Sequence, residues 1–261
     1  MKFSIVQETR KGARPYNQDR LGYWRTPEAL LMAVADGMGG YQGGEVAAAA
    51  ALEHLAQAFR AQAKPTLVDP ELFIARAIRG AHAAVVKAGR DAGLGDDPRT
   101  TVVGCVVQAG YAFWSFIGDS RLYLIRAGRI AARTRDHTRV QQLVDAGRIR
   151  EEAVPAHPQR SQLLRCLGGP AEPVPEPAAS ARLVKGDLLL LCSDGLWGPL
   201  TAPLILTGLI GKDPAQALPV LTALAETRAG SGCDNVSALV MQWQEEAVLD
   251  LHIGAPPTLR A

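Results

Sequence analysis

The stretch TTVVGCVVQAGYAFWSFIGDSRLYLIRAGRI, residues 100–130, decides the architecture. Three runs of strand length, rich in Val, Ile, Phe, Tyr and Trp, follow one another with almost no intervening chain. Ala109-Gly110 and Ala127-Gly128 read as hairpin turns. Strands joined by turns this tight pair antiparallel, because a parallel pair needs a long crossover. Working outward, short strands are expected at Phe3 and Ile5, at LGYW (21–24) and at ALLMAVAD (29–36), then at DLLLLCSD (187–194) and NVSALVMQW (235–243). The alanine-rich run 45–62 has no Gly or Pro and is expected to be a helix. A second helix is expected over 70–91, with Leu72, Ile74, Ala75, Ile78, Ala81, Val85 and Val86 as apolar positions, and helical pieces over 202–209 and 214–229. With about nine to eleven strands and helices set in pairs, the economical arrangement is an α+β fold. It is a central sandwich of two antiparallel sheets flanked by helices on both sides, four layers in the order αββα.

Composition excludes several classes. The 261 residues are 48% hydrophobic and 21% charged with a net charge of +2, so neither a nucleic-acid nor an acidic-membrane partner is expected. No apolar run is long enough to span a bilayer, and the N-terminal apolar stretch is too short for a signal core. Cys105, Cys166, Cys192 and Cys233 are widely spaced and expected to be buried or half-buried thiols in a reduced, cytoplasmic protein. The histidines form no ligand pair. Residues 136–176 change character. A short amphipathic helix near 139–146 gives way to polar, proline-rich chain ending in PAEPVPEP (170–177), expected to be exposed.

LLMAVADGMGG (30–40) raises a different question, since an apolar run ends on Asp36 and the next residues are largely glycine. The same local grammar recurs. Asp119 follows Gly118, Asp194 precedes Gly195, and Asp234 lies two residues after Gly232, each at a strand edge. Glycine lets main chain approach closely. Carboxylates are costly to gather without a cation to neutralise them. A donor set of oxygens without His or Cys pairs favours Mg²⁺ or Mn²⁺, and this many carboxylates fits a two-ion site.

These residues carry a family likeness. The chain resembles the metal-dependent protein phosphatases of the type 2C (PPM) serine/threonine class, above all the compact bacterial members. The motifs stand in the family's order: RPYNQD (14–19), VADGMGGYQGGEVAA (34–48), RTTVVG (99–104), FIGDSRLYLIRAG (116–128), TRDHT (134–138), LLRCLGG (163–169), LLCSDGLW (190–197) and CDNVSALV (233–240). The resemblance implies the same αββα sandwich, with residues 1–244 as a single catalytic domain, a flap over about 147–176 and a tail over 245–261. It implies hydrolysis of phosphoserine and phosphothreonine in phosphoproteins, opposing a bacterial serine/threonine kinase, by a monomer. It implies two Mn²⁺ or Mg²⁺ ions and room for a third. Asp36 would bridge the pair, the carbonyl of Gly37 would bind one ion, and Asp194 and Asp234 would complete the other. Asp119 with Asp194 would support the third ion, Asp19 would hold metal-bound water, and Arg14 would grip the substrate phosphate.

The chemistry suits those parts. Phosphate-monoester hydrolysis is very slow uncatalysed, and divalent ions make a nucleophile of water near neutral pH. Arginine supplies a permanent, planar clamp for phosphate oxygens. Arg121 reads as structural, His137 as a solvated loop histidine, Thr100 and Thr101 as hydrogen-bonding around the aspartates or serving strand packing, and Cys192 as strand packing. Departures from the family pattern are Met38, where many eukaryotic relatives carry a proton-donating histidine, Gln18 where some carry Glu, and Arg99 where Gly is usual. Two other readings compete: a catalytically silent module that binds phosphoproteins, whose mark would be a missing metal aspartate, and a two-metal hydrolase of small phosphate esters.

Overall fold

The computed structural model describes residues 1–38 and 43–246. Gly39 and Gly40 of the glycine run, and the tail from 247 onward, lie outside the described residues. The chain opens with β1 (Phe3–Arg10), β2 (Arg20–Arg25) and β3 (Ala29–Ala35), followed by α1 (Gly44–Gln62) and α2 (Pro70–Asp91). Next come β4 (Arg99–Thr100), β5 (Val102–Gln108), β6 (Tyr111–Ile117), β7 (Arg121–Arg126) and β8 (Arg129–Arg133). After α3 (Arg139–Asp145) and a 3-10 turn (Glu151–Ala156) lie β9 (Leu167–Gly168), β10 (Ala179–Arg182) and β11 (Leu188–Cys192). The fold closes with α4 (Asp194–Trp197), α5 (Ala202–Leu209), α6 (Pro214–Ala229) and β12 (Val236–Trp243).

Two five-stranded antiparallel sheets result, ordered β1-β12-β11-β7-β8 and β10-β6-β5-β3-β2, and β4 pairs separately with β9. The ten strands of the large sheets fall within the expected number. The short β4–β9 pair and β10 were not foreseen, because runs of two to four residues carry no periodicity. Both Ala-Gly turns are hairpins with positive φ at each central residue: 51° and 76° at Ala109 and Gly110, 47° and 77° at Ala127 and Gly128. That is the turn handedness that matches the twist of paired strands.

β3 is buried along its whole length because it is covered on both faces. Leu30, Met32 and Val34 face the inter-sheet core with Val103, Cys105, Leu189, Leu191, Leu239 and Met241. Leu31, Ala33 and Ala35 face outward into a second core with Leu55, Phe59, Ile74 and Ile78 of α1 and α2. A third core packs Leu196, Ile205, Leu209, Leu218 and Leu221 against Leu190, Ala238 and Val240 on the outer face of the other sheet. Each fully buried leucine contributes about 2 kcal/mol, and these three layers of side chains make the four-layer αββα stack. Asp69 caps α2 by accepting from the Leu72 amide at 2.9 Å, and Pro70 occupies its first position. Among the described residues no helix is long and apolar enough to cross a membrane.

One feature of the topology prepares the site. β6 belongs to one sheet and β7 to the other, so Gly118–Ser120 is a crossover rather than a hairpin. β1 and β2 also lie in different sheets. The two links therefore bridge the layers of the sandwich, and they carry Asp119, Arg14 and Asp19.

Candidate active site

Asp36 directly follows β3, and its main chain is pinned by the next strand pair. Its carbonyl accepts from the Thr101 amide at 2.9 Å and from Thr100 Oγ1 at 2.8 Å, while its amide donates to Thr101 Oγ1 at 3.2 Å. The two threonines thus do what the sequence suggested. Gly37 has no room for a side chain, since a Cβ there would stand 2.3 Å from the Gly44 carbonyl oxygen and 2.7 Å from that of Gln18. Bare backbone beside Asp36 is what lets the start of α1 close over the site.

Asp194 does not end a strand, as the sequence had suggested. β11 stops at Cys192, and Asp194 opens the short α4. The chain turns here because Gly195 presses against β12, where a Cβ would lie 2.0 Å from the Asn235 carbonyl oxygen. Asp234 sits just ahead of β12. Its neighbour Asn235 donates from Nδ2 to the Lys11 and Tyr16 carbonyls at 2.8 and 3.1 Å, and its Oδ1 accepts from the Gln18 amide at 2.8 Å. Asn235 therefore staples the 11–18 loop, and with it Arg14, onto the acidic end of β12. Arg14 Nη2 then reaches Asp234 Oδ2 at 2.6 Å.

Asp19 is buried and accepts from Ser193 Oγ at 2.8 Å. Asp119 is buried too, and its carbonyl accepts from Trp197 Nε1 at 2.9 Å. Asp36, Asp194 and Asp234 are half-buried. Burial raises the Asp36 carboxyl well above the ordinary carboxylate range, and the charges of Asp19, Asp194, Asp119 and Asp234 raise it further. Asp19 is pushed up to about 7 and Asp194 to about 6, in each case first by burial. Asp119 is raised by burial and by Asp194. All five aspartates singled out in the sequence therefore share one electrostatic neighbourhood, and Arg14 stands at its edge. The Arg14 guanidinium is strengthened in turn by its hydrogen bond to Asp234.

The residues fit a divalent cation by their chemistry: oxygen donors only, partly desolvated, with more negative charge than one arginine offsets. They are not a finished cage. Among the described residues no three acidic, histidine or cysteine side chains are arranged to hold an ion. Two of the carboxylates are instead engaged separately, Asp19 with Ser193 and Asp234 with Arg14.

Around this cluster, Arg121 is structural. It grips Asp136 through Nε at 2.9 Å and Nη2 at 2.6 Å, and lies 3.5 Å from the centroid of the Trp197 ring. His137 differs from expectation. It is buried, not solvated, with its ring stacked on Phe116 at 4.9 Å. Its Nδ1 accepts from the Gly118 amide at 3.2 Å, which leaves Nε2 as donor to Glu176 Oε2 at 3.2 Å. The motif hid this because the apolar and acidic partners lie 21 and 39 residues away. Cys192 is fully buried in β11, consistent with packing. Arg99 lies extended in β4, paired with Gly168.

A cleft of about 340 Å³ opens beside Asp194 and Asp234. Arg14, Trp197, Arg160 and Arg228 line it as well. Sequence reasoning missed Asn235, Arg160 and Arg228. Asn235 was legible within CDNVSALV, but the two arginines carry no local signal and reach the cleft only through the path of the chain between the 3-10 turn and β9 and through the end of α6.

Residues 10–227 match the family model described as Protein phosphatase 2C. The chain belongs to the protein phosphatase 2C family. A serine/threonine protein phosphatase, PstP of Mycobacterium tuberculosis, is 38% identical over 214 residues, covering 81% of this chain and 40% of that protein. The chain thus spans well under half the length of that curated relative. The crystal structure of the M. tuberculosis phosphatase PstP/Ppp superposes with a TM-score of 0.81 at 31% identity, covering 93% of this chain and 99% of that one. A PstP catalytic domain solved with two manganese ions gives a TM-score of 0.78 at 29% identity, covering 93% and 99%. The αββα sandwich expected from the sequence is thus the protein phosphatase 2C fold in this chain.

Proposed function

We propose that this protein hydrolyses phosphoserine and phosphothreonine monoesters of proteins, using two Mn²⁺ or Mg²⁺ ions. The observation that carries the reading is the convergence of Asp36 with Asp19, Asp119, Asp194 and Asp234 beside Arg14. The manganese-bound PstP domain supports the choice of metal. Asp36, the Gly37 carbonyl, Asp194 and Asp234 would hold the two ions, Asp119 would help to hold a third, and Asp19 would act through water. When bound, the ions supply Lewis acidity to make a nucleophile of water and positive charge against the phosphate.

The protein's own groups do the rest. Arg14 takes phosphate oxygens in its fork, and the Asn235 staple keeps its loop at the cleft. Trp197 donates to the Asp119 carbonyl and carries Arg121 on its ring face, which ties this wall of the cleft to the crossover between the sheets. Met38 has no proton to give, so the leaving alkoxide takes its proton from another source. We assign catalysis to residues 1–244, with the flap over 147–176 setting substrate choice. A pool of phosphoserine and phosphothreonine implies a kinase that makes it, and that kinase is the opposing partner. Four free cysteines accord with a reducing, cytoplasmic setting, and we assign the protein as a monomer.

The test is hydrolysis of p-nitrophenyl phosphate and of phosphothreonine peptides with Mn²⁺ and with chelator, beside Asp36→Asn and Asp194→Asn. The expected result is metal-dependent turnover that falls to background in both variants while far-ultraviolet circular dichroism stays native. Turnover indifferent to metal or to these substitutions sinks the reading. A preference for sugar phosphates over phosphopeptides would transfer the site to small esters.

A further inference from the structure

The three arginines of the cleft are not equivalent. Arg14 is engaged by Asp234 at 2.6 Å. The charge of Arg160 acts on Asp194 and opposes part of the rise that burial gives its carboxyl. Arg228, at the end of α6, donates from Nε to the Pro199 carbonyl at 3.1 Å. Among the described residues its two Nη groups have no protein partner. The guanidinium is thus anchored through Nε, and Arg228 lines the cleft together with Arg14 and Asp194. An anchored fork with its donors unspent is arranged for a planar or tetrahedral anion.

The phosphoryl group under attack is already claimed by Arg14. A second cation on the same wall therefore serves a second anion on the same substrate. We propose that Arg228 forms a subsite for an anionic group flanking the phosphorylated residue, either an Asp or Glu carboxylate or a second phosphoryl group. The site would then favour phosphopeptides carrying a neighbouring negative charge. This rests on the phosphatase reading above and adds a substrate preference to it.

The experiment uses the full chain with Mn²⁺ and a set of phosphothreonine peptides identical except for one flanking residue, which is Ala, Lys, Asp or phosphothreonine. The wild-type protein is expected to favour the anionic flanks over Ala in kcat/KM by roughly fivefold, the upper range for a solvent-exposed ion pair. The Asp and phosphothreonine arms show which anion fits better. In Arg228→Gln the ratio of anionic to Ala flank is expected to fall to about one, and in Arg228→Glu the Lys flank is expected to become the preferred one. The same peptides bearing a non-hydrolysable phosphonate are measured for binding, so the preference is seen with or without turnover. A flat preference in the wild type, or one that survives in Arg228→Gln, overturns the subsite. Absent turnover, combined with a binding preference that Arg228→Gln removes, would overturn the phosphatase reading and keep the subsite.

Discussion

Replacing Asp136 with Asn tests whether Arg121 is held as a buried structural ion rather than available to substrate. The Arg121 and Asp136 side chains are 9% and 2% exposed. Asp136 accepts two hydrogen bonds from the guanidinium, at 2.9 and 2.6 Å, and Arg121 Nη1 also donates to the Tyr123 hydroxyl at 3.0 Å. An amide at 136 keeps the shape and one acceptor, but it sets an N–H against an N–H and removes the one carboxylate that, among the described residues, is bonded to the guanidinium. Leaving a buried charge unpaired in this way costs about 3–5 kcal/mol, a large share of a typical stability of about 5–15 kcal/mol. With a urea slope of about 3 kcal/mol per molar, the unfolding midpoint falls by roughly 1 to 1.7 M. Equilibrium urea unfolding followed by far-ultraviolet circular dichroism measures this. Replacing both partners, Arg121→Met with Asp136→Leu, should recover most of the loss because no charge is then stranded. A midpoint shift below about 0.3 M, the scale of an exposed pair, would refute the reasoning.

Two further perturbations address the acidic cluster and its packing. Burial pushes Asp19 up to about 7, so in chelator the folded state holds this proton more tightly than the unfolded chain does. The wild type is therefore expected to lose stability relative to Asp19→Asn as pH rises from about 4 through about 7; thermal unfolding of both proteins across that window checks the sign, and a flat difference removes the assignment. Gly195→Ala puts a Cβ 2.0 Å from the Asn235 carbonyl oxygen and is expected to cost about 3 kcal/mol or more. Gly232→Ala, where nothing lies within 4 Å, is the control and should unfold near the wild-type midpoint.

Much of the molecule is legible in its sequence. The Ala-Gly hairpins, the long helices and the continuous apolar run of β3 are local signals, set by turn geometry, helix propensity and burial on both faces. Asp36, Asp119, Asp194 and Asp234 were legible because each stands at the edge of an apolar run with a glycine within two residues, a pattern that repeats along the chain. Other features needed tertiary structure. That Gly118–Ser120 crosses between sheets rather than closing a hairpin depends on which strands pair, and pairing is a long-range choice. His137 reads as a loop residue until Phe116 and Glu176 close around it. Arg160 and Arg228 enter the cleft from segments with no motif at all. Sequence alone singled out the acidic side chains that the fold gathers, because residue type and local backbone need are written locally. Only the packed structure decided which charges neutralise one another and which remain open to a ligand, because electrostatic partnership depends on distance in space and on the water excluded between groups.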